Sequence, residues 1–344
     1  MNSITVGRAL HGAALVAALA MSASAAAAGV ADFYKGKTIT AVVGGSVGGG
    51  YDLYTRALTH NMGRHIPGNP SMIEQFMPGA GGTKAANYLY NVAPKDGTAI
   101  GLISNAAPMY QALGGSGVKY DAAKFNWIGR MASMQYALMV WHASGVRSID
   151  DLKTREVVFG STGRSQGNYM VPILLKNLLG LKAKVIIGYP GTKDIDLVMQ
   201  KGEVDGRLGT WASWLIAAGG EWVRDKKVIP ILQSGLEHMP DLNVPLLRDL
   251  ARNDDQRAIL ELVASDAAVG RAFLLPPDVP ADRVEAMRRA FDATMKDPAF
   301  LDEARKLRLI IEPMTGEWVQ QVAVKTVSTP PRLIAETKKA LEWK

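Results

Sequence analysis

The stretch from Lys37 to Arg56 constrains the fold of this 344-residue chain most, since its character changes three times. Thr38 to Val43 is short, apolar and β-branched, as expected for a buried strand of a parallel sheet. Gly44 to Gly50 has almost no side chains, so its backbone N–H groups can approach a ligand closely. An amphipathic helix with Asp52 in its first turn follows. A strand, glycine loop and helix in this order favour an anion site over a plain turn.

The first residues have the pattern of a secretory signal, which we place at residues 1–28. Arg8 supplies one charge, Ala9 to Met21 is apolar, and small residues continue to Ala28. The apolar run is too short for a permanent membrane anchor. The chain has no cysteine, which excludes disulfides and a lipid-carrying N-terminal cysteine. We therefore expect cleavage near Gly29 and a soluble periplasmic protein that does not itself insert into the membrane.

The length and the charge of the chain indicate how many domains it has and which partners it can bind. Without the signal, about 315 residues remain, roughly the length at which one core gives way to two domains. The formal charge is +7, but Lys and Arg are scattered among acidic residues and form no basic stripe. We expect mild attraction of anions. Without a basic cluster or base-stacking aromatics, nucleic-acid binding is not expected.

The strand, glycine loop and helix unit recurs along the chain. Small residues follow further predicted strands, at 71–77, 98–104, 156–159, 184–188 and 204–209. Strands that alternate with helices and end in glycines are typical of doubly wound sheets, which bind ligands outside the strand carboxyl ends. We therefore predict an α/β fold of two lobes, each a doubly wound sheet with helices on both faces.

The predicted domain boundaries follow from the helical last third of the chain. These helices need a sheet to cover, so we expect the chain to return to the first lobe near Ala268. Lobe 1 is then formed by residues 29–133 and 267–344, and lobe 2 by residues 134–266. This arrangement has two crossing segments.

The loops at the strand ends supply the candidate ligand-binding residues, most of them neutral donors. In lobe 1 they are Ser46, Val47, Gly48, Gly49, Tyr51, Asp52, Gly79, Ala80, Gly81, Ser104 and Asn105. In lobe 2 they are Ser161, Thr162, Gly163, Arg164, Tyr189, Gly191, Thr192 and Trp211. Arg164 either pairs with a ligand carboxylate or is a solvated loop residue. Trp211 either walls the site or packs in the core.

Catalytic patterns fit poorly. Residues 44–48 match G-x-S-x-G, but glycines separate Ser46 from the helix and no histidine follows His238, against the order of a hydrolase triad. His60 and His65 do not share a helix face as a metal-binding pair would. The dinucleotide and phosphate-loop patterns are absent. We expect no cofactor, no metal and no enzymatic activity, with a hydrolase as the distant alternative.

Short motifs follow one another with a specific order and spacing, at Gly48 to Asp52, Pro78 to Gly82, Ala93 to Thr98, Gly160 to Gly163, Tyr189 to Thr192 and Gly202 to Asp205. Together they resemble the periplasmic solute receptors of tripartite tricarboxylate transporters, also called Bug receptors. The resemblance covers nearly all of the mature chain. It departs from the usual pattern at Gly45 to Val47, where most members have a Phe-Pro-Pro entry, and at Phe76-Met77, which replaces Asn-Arg. The identity of the ligand is therefore not predicted.

The resemblance implies a type II periplasmic binding protein, or Venus flytrap, that captures a small carboxylate through backbone N–H groups and bridging waters. It also implies delivery to the permease subunits of a tripartite transporter, and we expect a monomer. The alternative of the same fold is a ligand-sensing receptor that docks on a membrane signalling protein. Arg164 and Trp211 together favour a carboxylate with a flat apolar body.

Overall fold

The structure of the protein, a computed structural model, describes residues 29–164, 166–239 and 242–343. The predicted signal, residues 1–28, lies outside the described residues. Within them the chain divides into two compact units. Unit 1 is formed by residues 29–104, 124–131 and 272–318, and unit 2 by residues 105–123, 132–271 and 319–343.

The elements alternate as the sequence predicts. The strands are β1 (Thr38–Val43), β2 (Ser71–Phe76), β3 (Ala99–Leu102), β4 (Asn126–Arg130), β5 (Tyr136–Trp141), β6 (Val157–Ser161), β7 (Ala183–Ile187), β8 (Gly206–Thr210), β9 (Val228–Ser234), β10 (Ala272–Leu275) and β11 (Met314–Thr315). From β1 onwards the α-helices are α1 (Gly50–Met62), α2 (Thr83–Asn91), α3 (Ala107–Ala112), α4 (Gly167–Asn177), α5 (Thr192–Lys201), α6 (Trp211–Ile216), α7 (Glu221–Arg224), α8 (Asp254–Val269), α9 (Ala281–Thr294), α10 (Pro298–Lys306), α11 (Gly316–Val327) and α12 (Pro331–Leu341). No helix among the described residues is long and apolar enough to cross a membrane.

Unit 1 contains a six-stranded sheet in the order β11-β4-β10-β3-β1-β2. The strand β1 pairs in parallel with β2 and β3, whereas β10 runs antiparallel to β3 and β4. The apolar residues predicted for β1 fill the core, where Ile39 packs in one cluster with Ile100, Phe273 and Phe291. Burial of these side chains stabilises the sheet against α1 and α9.

Unit 2 contains a five-stranded sheet in the order β7-β6-β8-β5-β9. The strand β6 pairs in parallel with β7 and β8, and β5 runs antiparallel to β8 and β9. Successive residues of β5 pack in two different cores. Leu138 and Val140 lie in one core, and Ala137 and Met139 lie in the other. Because side chains alternate along a strand, both faces of this sheet are covered.

The predicted α/β class, with helices on both faces of two sheets, is confirmed. Both sheets are mixed instead of wholly parallel, because β5 and β10 run against their neighbours. Residues 309–311, predicted as a short strand, lie outside the strands, and β11 follows them. The apolar stretch 126–141 forms β4 and β5, which belong to different sheets.

The division into units differs from the predicted boundaries by a few residues at 132–133 and 267–271, which lie in unit 2, and in two longer segments. Residues 105–123 and 319–343 lie in unit 2, although both are expected in lobe 1. Packing explains the difference, since Met109 and Leu113 of the first segment and Leu333 of the second are buried in the core of unit 2. An amphipathic pattern identifies the apolar face of a helix but not the sheet that this face covers.

Candidate functional site

Three loops of unit 1 meet at one edge of its sheet. The strands β2, β1 and β3 are neighbours and parallel, so the loops that follow them leave from the same edge. A Cβ atom added at Gly82 would lie 2.9 Å from the Ser104 Cβ atom, which shows how closely the second and third loops approach. The predicted residues at 46–52, 79–81 and 104 therefore share this edge, and Asn105 begins the first segment of unit 2.

The loop after β1 presents exposed backbone, and one buried acid holds it. Residues 46–50 are all exposed. The Gly48 N–H, at a φ of 81°, donates to Asp52 Oδ2 at 2.7 Å. The Asp52 side chain is buried, and its Oδ1 lies 2.5 Å from Arg56 Nε. Asp52 therefore fixes the loop through Gly48 and Arg56, while Ser46 and Val47 remain at the surface.

The loop after β2 is built almost entirely by backbone geometry. Residues 79–82 all have positive φ, and residues 78–81 are exposed. The helix α2 begins directly afterwards with Gly82 as its N-cap, and α1 begins with Gly49 in the same role. Neither helix has a side-chain cap. The positive ends of the α1 and α2 helix dipoles thus point at this edge, which favours an anion there.

Unit 2 repeats this arrangement at the carboxyl ends of β6, β7 and β8. The loops after β6 and β7 are joined, because the N–H groups of Gly188 and Tyr189 donate to the Ser161 carbonyl at 3.2 and 3.4 Å. The helices α4 and α5 begin after these loops, again without side-chain caps. The structure brings together the predicted residues of this unit at 161–164, 189–192 and 211.

Side-chain hydrogen bonds shape the loop after β6. The Ser161 side chain is fully buried, and its hydroxyl donates to Asn168 Oδ1 at 2.8 Å. The same hydroxyl oxygen accepts from the Gly163 N–H at 3.2 Å. The amide of Asn168 also lies 3.4 Å from the Thr162 hydroxyl. Ser161 therefore holds the loop from within, and Thr162 and Gly163 are the half-buried members.

Arg164 is already engaged within unit 2. Its Nη1 donates to the Tyr169 hydroxyl at 2.8 Å and lies 3.3 Å from Glu342 Oε2. Hydrogen bonds from Asn177 and from Arg164 lower the pKa of Glu342 below its usual value. The arginine and glutamate side chains are 52% and 48% exposed, so they form a surface ion pair. Pairing of Arg164 with a ligand stays a prediction, and Glu342 competes with it.

Trp211 begins α6 at the carboxyl end of β8. Its N–H donates to the Gln135 carbonyl at 2.9 Å, and the side chain is half-buried against a cluster that contains Trp214. The Thr210 side chain caps this helix by accepting from the Ser213 N–H. The indole thus has one face in the core, and its predicted contact with a ligand is untested.

The geometry around Ser46 and the histidines can be compared with catalytic sites. The helix α1 begins at Gly50, so glycines separate Ser46 from it, whereas a nucleophile elbow places the serine at the turn itself. His60 and His65 pair with Glu303 and Asp297 beside α10, at 2.9 and 2.7 Å. Across the described ranges no group of three His, Asp or Glu side chains is placed to hold a metal ion.

Known structures share this architecture. A TctC solute-binding protein from Polaromonas matches 90% of this chain and 99% of its own, with a TM-score of 0.68 and 16% identity. The periplasmic binding protein BugD matches 89% of this chain and 98% of its own, with a TM-score of 0.59 and 18% identity. The chain has the fold of the TctC and Bug solute-binding proteins. The resemblance found in the sequence is therefore confirmed at the level of the fold.

A further relative of this TctC and Bug fold holds a ligand. MatC from Rhodopseudomonas palustris, solved with bound malate, matches 89% of this chain and 99% of its own, with a TM-score of 0.56 and 16% identity. In sequence, no known family model matches the chain. The "UPF0065 protein in gbd 5'region" of Cupriavidus necator is 31% identical over 140 residues, which is 40% of this chain and 41% of that protein. The match thus spans about two fifths of either protein.

Sequence reasoning missed residues that this fold brings to the edge of unit 2. Because β5 is antiparallel, its first residue Tyr136 lies opposite Thr210 and Ser234. The Tyr136 hydroxyl donates to Asp266 Oδ2 at 3.2 Å. Asp266 is half-buried, yet desolvation raises its pKa to about 6, although the bond from Tyr136 opposes the shift. Strand direction has no local signature, so no sequence pattern identifies these residues.

Proposed function

We propose that the protein is a periplasmic receptor that binds a small carboxylate and passes it to the permease subunits of a tripartite transporter. One observation carries this proposal. The helices α1, α2, α4 and α5 all begin at strand-end loops, and none has a side-chain cap. These helix starts present the positive ends of four helix dipoles at the loops, which favours an anion there.

The chemistry of the loops favours binding without reaction. Their donors are backbone N–H groups and the hydroxyls of serine and threonine, which do not ionise near neutral pH. Such donors hold a carboxylate without transferring a proton to it. The fold shared with TctC, BugD and malate-bound MatC supports the same class of ligand. We propose no enzymatic activity for the protein.

Location and partners complete the proposal. The signal pattern at residues 1–28 supports export and a periplasmic location. A receptor that captures its ligand there needs a membrane partner to release it to, and we propose the permease subunits as that partner. The receptor itself acts as a monomer in this proposal.

A thermal-shift screen of the mature protein tests the ligand class. Mono-, di- and tricarboxylates, malate among them, are compared with their amides, which have similar shape but no charge. A ligand present at about a hundred times its Kd adds about 2.7 kcal/mol to the free energy of unfolding. We expect at least one acid to raise the Tm and its amide to leave it unchanged. Stabilisation by neutral or cationic solutes, with none from any acid, would contradict the proposal.

A further inference from the structure

One charged side chain connects three elements in the interior of unit 2. Arg207 lies on β8, and only 2% of its surface is exposed. Its Nε and Nη2 donate to the two carboxylate oxygens of Asp196 on α5, at 2.6 and 3.1 Å. Its guanidinium carbon lies 3.8 Å from the centre of the Trp214 ring on α6. A single guanidinium therefore ties both helices to the strand.

The backbone of β8 leaves room for this arrangement at Gly209. A Cβ atom there would overlap Arg207 Nη1 and lie 3.0 Å from Trp214 Nε1. The indole is itself fixed, since Nε1 donates to the Ala137 carbonyl at 3.1 Å. The Arg207 side chain thus follows β8 towards its carboxyl end, in the space that Gly209 leaves free.

Stability alone does not account for a buried ion pair at this position. Removing two charges from water costs several kcal/mol, and an apolar pair of similar volume is often as stable or more stable. Arg207 Nη1 is also buried without a hydrogen-bond partner. The ion pair does more to fix geometry than apolar contacts do, because a bidentate arginine and carboxylate set both the distance and the orientation between their elements.

Both fixed helices begin at the candidate site. Asp196 follows Thr192, the first residue of α5, by about one helical turn, and Trp214 follows Trp211, the first residue of α6, by about the same distance. We propose that Arg207 is a positioning residue, which sets the placement of the 188–191 loop and the start of α6 and thereby the affinity for the ligand. This inference rests on the proposed function.

The test separates positioning from stability. The variants are R207M, D196L, the double variant R207M/D196L, the conservative R207K, and V157A as a control. Val157 is buried in the other core of the unit, and as the first residue of β6 it lies at the strand end opposite the candidate site. Amide hydrogen exchange of residues 186–194 and 209–215 is measured where every variant is folded, and the Kd for the best acid from the screen is measured by calorimetry.

Each single variant at the pair should lower the Tm, because it leaves an unpaired buried group. The double variant should regain most of that Tm, yet exchange at least tenfold faster in both segments and bind the acid at least tenfold more weakly. R207K should lie between wild type and R207M, since lysine keeps the charge without the bidentate geometry. V157A should lower the Tm and keep the wild-type Kd.

Two outcomes overturn the inference. One is a double variant with wild-type exchange in both segments, and the other is a double variant with wild-type Kd despite faster exchange. If the wild-type protein binds no acid in the screen, the proposed function fails. Hydrogen exchange then decides alone whether Arg207 positions these loops, since that readout needs no ligand.

Discussion

The loops of the two units reach a similar arrangement by different means. In unit 1 the backbone itself sets the shape, with positive φ at Gly48 and through residues 79–82. In unit 2 Gly188 also has a positive φ, but buried side chains hold the structure around the loops, through the Ser161 and Asn168 hydrogen bond and the Arg207 and Asp196 ion pair. The same helix starts are thus exposed by glycine in one unit and by buried polar contacts in the other.

This difference indicates where each unit tolerates change. A loop set by glycine has no partner to lose, but it fails where a Cβ atom forces the backbone out of its conformation. A loop set by buried side chains tolerates surface substitutions, but it loses a full hydrogen bond when one internal partner is removed. Variants of each kind therefore test whether the two units differ in this way.

The largest effect is expected at Gly82. Its φ is 92°, and an added Cβ atom would also meet Ser104 at 2.9 Å. Gly81 has a φ of 61° but open space where a Cβ would lie. We expect G82A to lower the free energy of unfolding by about 3 kcal/mol and G81A by about 1 kcal/mol, since only the first adds crowding to strain. Urea denaturation measures both, and equal losses would show that crowding is absent.

Asp52 is the exception in unit 1, since it is a buried side chain that holds a loop. D52A removes the acceptor of the Gly48 N–H and the partner of Arg56. Hydrogen bonds to a charged group contribute about 1.5 to 3 kcal/mol, so we expect a loss of about 2 kcal/mol. R56Q serves as the control, because Arg56 is 39% exposed and should cost less than half as much. A larger loss in R56Q than in D52A would refute this role of Asp52.

Asp266 gives unit 2 a dependence on pH. The pKa of its carboxyl is about 6 in the folded protein against 3.8 as the ordinary value, so folding favours the protonated form. Below about pH 4 the carboxyl makes its full contribution to the free energy of unfolding. This contribution declines as the pH rises to 6, because the unfolded chain releases the proton at a lower pH than the folded protein does. We expect the free energy of unfolding of D266N, relative to that of wild type, to rise by about 2 kcal/mol as the pH rises from 4 to 7.

Denaturation curves at several pH values measure this difference. Y136F should extend the decline to higher pH without changing where it begins, because it removes the hydrogen bond that lowers the folded-state pKa of Asp266. A difference between D266N and wild type that does not change with pH would show that this carboxyl is solvated.

Ser161 represents the side-chain contacts of unit 2 in isolation. S161A leaves Asn168 and the Gly163 N–H without a buried partner. We expect a loss of about 1 kcal/mol, the usual net contribution of one internal hydrogen bond. T162A is the matched control, since that half-buried hydroxyl has only a 3.4 Å contact with Asn168, and it should be nearly neutral. Equal losses in the two variants would show that the Ser161 hydrogen bond contributes no more to the free energy of unfolding than the Thr162 contact does.

The sequence predicted what is encoded locally. The glycine run at 44–50 identified the first loop, and the alternation of strands and helices identified the fold class. The partner of Arg164 is Glu342, which lies 178 residues away in the sequence. Leu333 packs in a core whose other residues are mostly distant from it in the sequence. Tyr136 reaches the candidate site only because β5 is antiparallel. Such features depend on which sheet a segment joins, and no local pattern encodes that choice.

The smallest effect is expected at Arg164, where the comparison of the units is sharpest. The proposed anion site of unit 1 has backbone donors, whereas this arginine would give unit 2 a charged donor if it turned to the ligand. In the structure its Nη1 is shared between Tyr169 and Glu342, and exposed pairs of this kind contribute about 0 to 1 kcal/mol. We expect R164Q to lower the free energy of unfolding by less than about 0.5 kcal/mol and to change the ligand Kd by less than about twofold.

E342Q is the companion variant, because it removes the charge that competes for Arg164 while it keeps a side chain of the same shape. If the guanidinium stays beside Tyr169, this variant should also leave the Kd unchanged. If Arg164 instead forms an ion pair with the ligand, the two variants should change the affinity in opposite directions. E342Q should bind more tightly, and R164Q should bind more weakly by tenfold or more. The affinity of the wild-type protein should also fall steeply as salt screens the charge. Calorimetry at two salt concentrations separates these results and decides whether a side-chain charge contributes to ligand binding in unit 2, in contrast to the backbone donors proposed for unit 1.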